Sequence, residues 1–192
     1  MKNRFYAVMS RMKYIYRWGL MRNTRPENLS EHSLEVAQIA HALALLCNSR
    51  FGGAVDPNAA AVAAVYHDSS EILTGDLPTP IKYRNNEIKT AYKKIEAAAE
   101  EELTALLPDD FKEAFSAIYH PDPEIERLVK AADKISALIK CVEERNSGNR
   151  EFDSAEKSVR DAIKNLHCPE ADLFLKEFIP AFSLTLDEQS AD

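Results

Sequence analysis

Glycine, cysteine and long hydrophobic runs are scarce in this sequence of 192 residues. Five glycines leave little material for the tight turns of β-hairpins, which argues against a sheet protein. The three cysteines Cys47, Cys141 and Cys168 are odd in number and lack a Cys-x-x-Cys spacing, so a disulfide framework and a thiolate zinc site are both disfavoured. No stretch approaches the roughly 18–20 consecutive apolar residues that span a bilayer. These shortages predict a protein of a reducing compartment without a membrane span.

An excess of basic charge is also missing, because the formal net charge is −7. Binding to nucleic-acid polymers relies on an excess of Lys and Arg, so this class of partner is disfavoured. A small anionic substrate stays compatible, since a metal ion or an arginine can reverse the local field inside a pocket. No apolar secretory segment follows Met1-Lys2-Asn3-Arg4, which predicts a cytoplasmic location.

Apolar residues recur with the helical period, and almost no segment alternates with period two. We expect an all-α fold in a single domain, residues 1–192, because no linker or repeat divides the sequence. Asp56-Pro57 and Asp122-Pro123 are typical helix starts, with Asp as the N-cap and Pro at the first helical position. Two prolines make residues 77–80 a stiff loop. The predicted helices cover 5–16, 30–47, 57–74, 85–107, 111–119, 123–146, 151–166 and 169–178.

A His-Asp pair ends the alanine-rich apolar run 59–66. Apolar surroundings tolerate an imidazole or a carboxylate only when each has a partner. Glu71 lies one turn beyond His67, so on a continuous helix it faces the same side. His67, Asp68 and Glu71 therefore indicate part of a divalent-metal site.

Two more ligands occupy inward positions of other predicted helices. His32 lies four residues before Val36, on the apolar face of the second helix. Asp133 falls in a row of small or apolar residues, and the neighbouring Lys134 is expected to point elsewhere. Three helices would then bring together two imidazoles and two carboxylates: His32, His67, Asp68 and Asp133.

A mixed set of nitrogen and oxygen ligands suits Mn²⁺, Co²⁺, Fe²⁺ or Zn²⁺ better than Ca²⁺, which prefers oxygen alone. Four protein ligands leave positions open for water and substrate, as in catalytic sites. A competing interpretation remains, because a histidine on an apolar face is more often a packed core residue. His41, in a similar helical stripe, is interpreted in that way.

Several local motifs carry a resemblance to a known family. They are Arg17-Trp18, SEHSLEVA at 30–37, YHDSSEILTGDLPTPIKY at 66–83, KAAD at 130–133 and FSLTLDE at 182–188. Together with the order His … His-Asp … Asp, they resemble the bacterial 5'-deoxynucleotidases of the HD-domain metal-dependent phosphohydrolase superfamily. The likeness spans nearly the whole chain and is weakest at 84–126 and 147–181.

This resemblance implies an HD-domain helical bundle and a phosphoric monoester hydrolase. The implied reaction converts 2'-deoxyribonucleoside 5'-monophosphates to deoxynucleoside and phosphate. It also implies a cytoplasmic homodimer with one divalent metal ion, cobalt or manganese, with zinc, iron or copper as alternatives. No nucleic-acid polymer and no membrane is expected as a partner.

The resemblance also implies roles for individual residues. It makes His32, His67, Asp68 and Asp133 the metal ligands, and Glu71, Trp18 and Asp68 the catalytic residues. The implied substrate contacts are Arg17, Trp18, His32, Asp68, Asp76, Leu77, Pro78, Thr79 and Asp133. Arg17 and Trp18 would orient the phosphate, and 76–79 would line the sugar and base side.

Three alternatives stay open at this point. The chain could act on another nucleotide, such as a dNTP or a cyclic nucleotide. It could be a non-catalytic nucleotide sensor, or a helical interaction module without a metal. Within the site, Glu71 could perform general acid–base catalysis or merely orient His67, and Trp18 could be a core anchor at a helix end.

Overall fold

The computed structural model describes residues 3–82 and 84–190, and it confirms the expected all-α fold. Within those residues the β structure is one isolated antiparallel bridge, between Tyr16 and Asn28. None of the described helices is both long and apolar enough to cross a membrane. The α-helices are α1 (Phe5–Met9), α2 (Leu29–Arg50), α3 (Pro57–Tyr66), α4 (Glu71–Thr74), α5 (Thr79–Lys82), α6 (Asn86–Thr104), α7 (Lys112–Tyr119), α8 (Pro123–Asn146), α9 (Asp153–Asn165), α10 (Pro169–Glu177) and α11 (Leu186–Gln189).

Helices α2, α3 and α8 pack together and build the larger part of the core. The inward face of α2 is fully buried at Val36, Ala40 and Leu43, as its helical spacing predicts. On α8 the same burial occurs at Leu128 and Ile135. The alanines Ala60, Ala63 and Ala64 are buried where α3 packs on these helices, so side chains from all three helices can meet.

A second apolar cluster joins the N-terminus to α6 and α7. Its buried members include Phe5, Met12, Leu103 and Phe115. The predicted helix over 5–16 is wrong beyond Met9, because a 3₁₀ turn at Ser10–Tyr14 follows and Tyr16 is 60% exposed. The chain leaves the helix early so that residues after it can pair with the start of α2.

The predicted continuous helix over 57–74 is also wrong. Asp56 caps α3 as expected, with its side chain accepting from the N–H groups of Asn58 and Ala59. However, α3 ends at Tyr66, and tight turns follow over 67–70, in which Ser69 N donates to Tyr66 O at 3.0 Å. Helix α4 then begins at Glu71, so the His-Asp pair lies in a turn between two helices.

The predicted helix end at residue 74 is correct, since Gly75 ends α4 with a φ of +74°, which glycine adopts without strain. Smaller corrections concern other segments. The predicted stiff loop 77–80 runs instead into α5, where Pro80 occupies an early position that does not need its missing N–H. The Asp122 side chain precedes α8 but accepts no capping hydrogen bond from the backbone N–H groups of the helix, contrary to expectation. A 3₁₀ turn at Ile179–Ser183 and helix α11 were not predicted. Tyr83, quoted in the motif, lies outside the described residues.

A buried carboxylate attaches the loop before α2 to α8. Glu144 is 1% exposed and accepts from Thr24 N at 3.0 Å, Thr24 Oγ1 at 2.7 Å and Asn149 Nδ2 at 2.8 Å. It also accepts from Lys140, whose ammonium group bonds the carbonyl of Arg25. The loop that carries Arg17 and Trp18 is therefore fixed to the core.

This anchor should make stability depend on pH. Burial raises the pKa of Glu144, but hydrogen bonds from Lys140, Asn149 and Thr24 outweigh it and lower the pKa from 4.5 to about 2. A lowered folded-state pKa stabilises the protein above the unfolded value, and this stabilisation is lost as the pH falls towards the folded value. Between about pH 5 and 3, the free energy of unfolding should thus fall more steeply in the wild type than in Glu144→Gln. Urea unfolding followed by circular dichroism measures this, and Glu113→Gln, at an exposed position of α7, should follow the wild type.

Candidate metal centre and active site

The first turn of α2 holds His32 in a fixed place. Asn28 caps this helix by accepting from the N–H groups of Ser30 and Glu31, and the Glu31 side chain returns to the Asn28 N–H. His32 then lies directly beneath the capped turn and is 1% exposed. Its ring centroid is 5.3 Å from that of His67.

Four side chains predicted as ligands meet at one point. His67 and Asp68 come from the turn after α3, His32 from α2 and Asp133 from α8. Each offers one ligand atom within 4.8 Å of all the others. His32 Nε2 is 3.5 Å from Asp68 Oδ2 and 3.3 Å from Asp133 Oδ1, and His67 Nε2 is 3.1 Å from Asp68 Oδ2.

Hydrogen bonds on the far side of both rings leave the Nε2 atoms facing this point. Nδ1 of His67 donates to the carbonyl of Ala64 at 2.7 Å. Nδ1 of His32 lies 3.0 Å from Ser136 Oγ, which donates its own proton to Glu35 at 2.6 Å and so accepts from the imidazole. In the neutral rings, Nε2 is then the unprotonated atom.

These Nε2 atoms provide a test of whether a metal ion fits. Both are buried and neither has a hydrogen-bond partner within the described part of the chain. An imidazole lone pair that faces a carboxylate oxygen at close range is unfavourable unless a positive charge lies between them. Two nitrogen and two oxygen ligands are a suitable set for a borderline divalent ion. The residues present therefore fit a divalent cation.

Protons compete with a cation for the same atoms. Burial and the charge of Arg17 lower the pKa of His32, but the nearby carboxylates of Asp133, Asp68 and Glu27 outweigh them and raise the pKa to about 10. Burial raises the pKa of Asp133, but the positive charge of Lys134 and the proximity of His32 outweigh it and lower the pKa, so this carboxylate stays ionised. Metal binding must release the His32 proton, so affinity should rise with pH.

Glu71 lies beside the candidate ligands, and one oxygen of its carboxyl group lacks a partner among the described residues. It is 5% exposed, and its Oε2 has no hydrogen-bond partner among the described residues. Burial raises its pKa to about 9, and the negative charges of Asp68 and Asp76 add to this effect. Since Ala64 already fixes the far side of His67, Glu71 is not needed to orient that ring.

Arg17 and Trp18 also border the site. Arg17 Nη1 donates to Asp68 Oδ2 at 3.4 Å, and the Arg17 side chain is 11% exposed. The indole N–H of Trp18 donates to Glu27 at 2.9 Å, and its ring packs against Phe152 with centroids 5.3 Å apart. Trp18 is therefore half-buried at the rim, with its polar atom already bonded.

Other predicted residues lie at varied distances from this centre. Asp76 is close enough for its charge to act on Arg17 and Glu71, and it accepts from the backbone N–H of Trp18. Leu77 and Pro78 follow half-buried, and Thr79 is exposed at the start of α5. Lys134, expected to point elsewhere, donates to Asp133 at 2.7 Å, because a long side chain can fold back along its own helix.

A model of a known protein family matches most of the chain. The model described as "5'-deoxynucleotidase YfbR-like" matches residues 4–182. The chain belongs to this family. A 5'-deoxynucleotidase of Vibrio parahaemolyticus is 50% identical over 192 residues, which cover 98% of this chain and 99% of that protein. The resemblance deduced from the motifs is confirmed.

Solved structures share the fold of this YfbR-like chain. An HD-domain phosphohydrolase from Listeria innocua superposes with a TM-score of 0.81 at 21% identity, covering 98% of this chain and 92% of that one. The cyanophage S-2L HD phosphohydrolase, solved with dA and one catalytic Zn²⁺, gives a TM-score of 0.66 at 21% identity, covering 91% and 95%. The YfbR-like chain thus has the expected HD-domain helical bundle.

Several residues of this YfbR-like site were not predicted from the sequence. Glu27 contacts Arg17, Trp18 and His32, and Ser136 with Glu35 fixes the far nitrogen of His32. Glu27 had a weak signal, because it follows Arg17-Trp18 closely and stands just before the N-cap of α2. The Ser136 contact crosses between helices and had no signal in the sequence.

Removing one ligand should remove most of the metal affinity. Loss of a residue that only orients a ligand costs about 10–100-fold in metal affinity, so His67→Asn should cost at least that much. Calorimetric titration of metal-free protein with Mn²⁺ or Co²⁺ measures the affinity. His41→Asn, a histidine on α2 outside the site, is the control and should bind like the wild type. Equal affinity of all three proteins would contradict the assignment of His67 as a ligand.

Proposed function

We propose that this chain is a metal-dependent 5'-deoxynucleotidase, which hydrolyses 2'-deoxyribonucleoside 5'-monophosphates to deoxynucleoside and phosphate. One observation carries the proposal: the four converging ligands have both Glu71 and Arg17 beside them. The Vibrio parahaemolyticus relative is 50% identical and is named a 5'-deoxynucleotidase, which supports the choice of substrate.

His32, His67, Asp68 and Asp133 would hold one divalent ion, with cobalt or manganese as our first choice and zinc, iron or copper as alternatives. Such an ion, when bound, supplies Lewis-acid stabilisation to a phosphoryl oxygen and acidifies the attacking water. Both Asp68 and Asp133 keep 22% of their side-chain surface exposed, which supports an opening through which substrate reaches the centre. We propose that His32, Asp68 and Asp133 contact the phosphate from the metal side.

Arg17 would bind the phosphate from the opposite side. Its guanidinium offers several donors in one plane, which suits the oxygens of a phosphate. The bond to Asp68 is long, at 3.4 Å, so exchanging it for a phosphate oxygen costs little. Because Glu27 accepts the indole N–H of Trp18, we propose that Trp18 orients the substrate through its ring surface rather than through this donor.

Glu71 would provide the proton that the reaction requires. Attack of water on phosphorus breaks the bond to the 5'-oxygen, and this oxygen must gain a proton to leave as a hydroxyl group. A buried carboxyl group that keeps its proton at neutral pH can give it to the leaving oxygen and later recover one from the attacking water. We therefore propose Glu71 as the general acid–base.

The segment 76–79 would line the sugar and base. Asp76, Leu77, Pro78 and Thr79 follow α4 directly, on the side of Glu71, and the prolines limit the conformations that the segment must give up on binding. Rejection of a ribose 2'-hydroxyl would come from steric closure or from a polar contact that the hydroxyl leaves unmatched.

We further propose that the chain acts as a single domain in a cytoplasmic homodimer. Leu34 and Leu45 on the outer face of α2 are 60% and 48% exposed, which supports a surface that a second copy could cover. The three buried cysteines are free thiols, which is compatible with a reducing compartment. No nucleic-acid polymer or membrane is proposed as a partner.

Phosphate release from a substrate panel tests the activity. Metal-free protein is supplied with Mn²⁺ or Co²⁺ and offered dAMP, AMP and dATP. We expect phosphate from dAMP well above that from AMP, and no pyrophosphate or triphosphate from dATP. No release from dAMP with any of the metals would sink the proposal, whereas preference for dATP would favour a triphosphohydrolase.

Replacement of Glu71 tests its role separately. Glu71→Gln keeps the size of the side chain but cannot exchange the proton, so kcat for dAMP should fall about 10²–10⁴-fold. Metal affinity should stay close to the wild-type value, because Glu71 is not a ligand. Glu87→Gln, at an exposed position of α6, is the matched control. A Glu71→Gln enzyme with unchanged kcat would exclude acid–base catalysis by this residue.

A further inference from the structure

The loop between the 3₁₀ turn and α2 contains a glutamate that contacts both sides of the site. Glu27 Oε1 accepts from Arg17 Nε at 3.2 Å and lies 3.3 Å from His32 Nδ1. Its other oxygen, Oε2, accepts from Trp18 Nε1 at 2.9 Å. The side chain is 15% exposed, so water competes little for these bonds.

We propose that Glu27 is a positioning residue that holds Arg17 and Trp18 against the back of His32. Its carboxylate would thereby fix the distance between the phosphate-binding side and the metal-binding side of the site. This inference rests on the proposed phosphate-binding role of Arg17 and Trp18.

The backbone supports the same arrangement. The Arg17 N–H donates to the carbonyl of Glu27 at 3.0 Å, and the Leu29 N–H donates to the carbonyl of Ile15 at 2.8 Å. These bonds flank the isolated bridge between Tyr16 and Asn28. Glu27 thus contacts Arg17 through both its backbone and its side chain, and the register brings the two residues opposite each other.

Trp18 has a conformation that depends on such support. Its φ is +59°, in the left-handed region that bulky residues other than glycine rarely adopt. Residues persist there only when surrounding contacts hold them. Glu27 holds the indole N–H, Phe152 packs on the ring, and the Met21 N–H bonds the Trp18 carbonyl at 2.9 Å.

Arg17 also needs Glu27 to stay in place. Its guanidinium has two ion pairs, with Glu27 at 3.2 Å and with Asp68 at 3.4 Å. Without Glu27, Arg17 would rely on Asp68, which is a proposed metal ligand. The metal would then compete with Arg17 for the Asp68 carboxylate, and the phosphate would compete with Asp68 for the Arg17 guanidinium. Substrate binding would therefore weaken more than the chemical step.

The natural fluorescence of the protein makes this testable, because Trp18 is the single tryptophan of the chain. Glu27→Gln keeps the side-chain size but loses the charge and one acceptor. We expect a changed emission maximum for Trp18 and a KM for dAMP about 10–100-fold higher, as for the loss of a charge-assisted hydrogen bond, with a much smaller change in kcat. The control is Glu143→Gln. This exposed glutamate lines a cavity of about 110 Å³ together with Glu27, and its variant should resemble the wild type in both measurements.

Other combinations of emission and KM in Glu27→Gln decide which part of the proposal holds. Wild-type emission together with wild-type KM in Glu27→Gln would overturn the proposal. A raised KM with unchanged emission would overturn its Trp18 part and support its Arg17 part, since the effect would then pass through Arg17 alone. A fall in kcat at constant KM would place Glu27 in the chemical step instead. If Glu27→Gln does not fold, Glu27→Asp, which keeps the charge but shortens its reach, is judged by the same two measurements.

A separate readout distinguishes failure of this inference from failure of the proposed function. Metal-free wild type and Glu27→Gln are titrated with inorganic phosphate while Trp18 emission is recorded. If the wild type hydrolyses no dAMP but binds phosphate more tightly than Glu27→Gln does, the nucleotidase proposal fails and the positioning role stands. Equal phosphate affinity of the two proteins overturns the positioning role, whatever the activity of the wild type.

Discussion

The structure depends on one electrostatic constraint: two imidazole nitrogens and two carboxylates share a small buried volume. His32 and His67 each bind an acceptor on one side, which leaves an unprotonated Nε2 directed at Asp68 or Asp133. Such an arrangement is stable only when a positive charge neutralises it, as a proton or as a divalent cation. The packing of α2, α3 and α8 serves this constraint, because no single helix could supply all four groups.

The sequence predicted those features that depend on local chemistry. Helical periodicity was enough to locate α2 and α8. The four candidate ligands were found from short-range signals: an apolar face for His32, a row of small residues for Asp133, and an adjacent pair for His67 and Asp68. Asp56 and Gly75 followed the known preferences for helix ends. The deoxynucleotide came only from the motifs shared with the family, because no periodicity or spacing specifies a sugar.

Features that depend on tertiary contacts were missed. The break after Tyr66 has no glycine or proline to mark it, and the turn forms because His67 and Asp68 must face a neighbouring helix rather than continue along their own. Glu27 looked like an ordinary charged residue in a loop, since its three partners come together only when the chain pairs 15–17 with 27–29. Lys134 returns to Asp133 in a way that helical spacing alone does not reveal.

The break after Tyr66 also has a consequence for the backbone. Helix α3 ends beside His67, and α2 begins one turn before His32, so two helix ends of opposite polarity meet at this centre. A helix carries roughly half an elementary charge at each end, positive at its start and negative at its finish. The carbonyl groups that close α3 therefore favour a cation at this centre. The N–H groups that open α2 are already bonded, those of Ser30 and Glu31 to the Asn28 side chain and that of Leu29 to the Ile15 carbonyl. The peptide chain itself thus adds a favourable potential on the side of the metal ion, and the phosphate must find its donors among side chains.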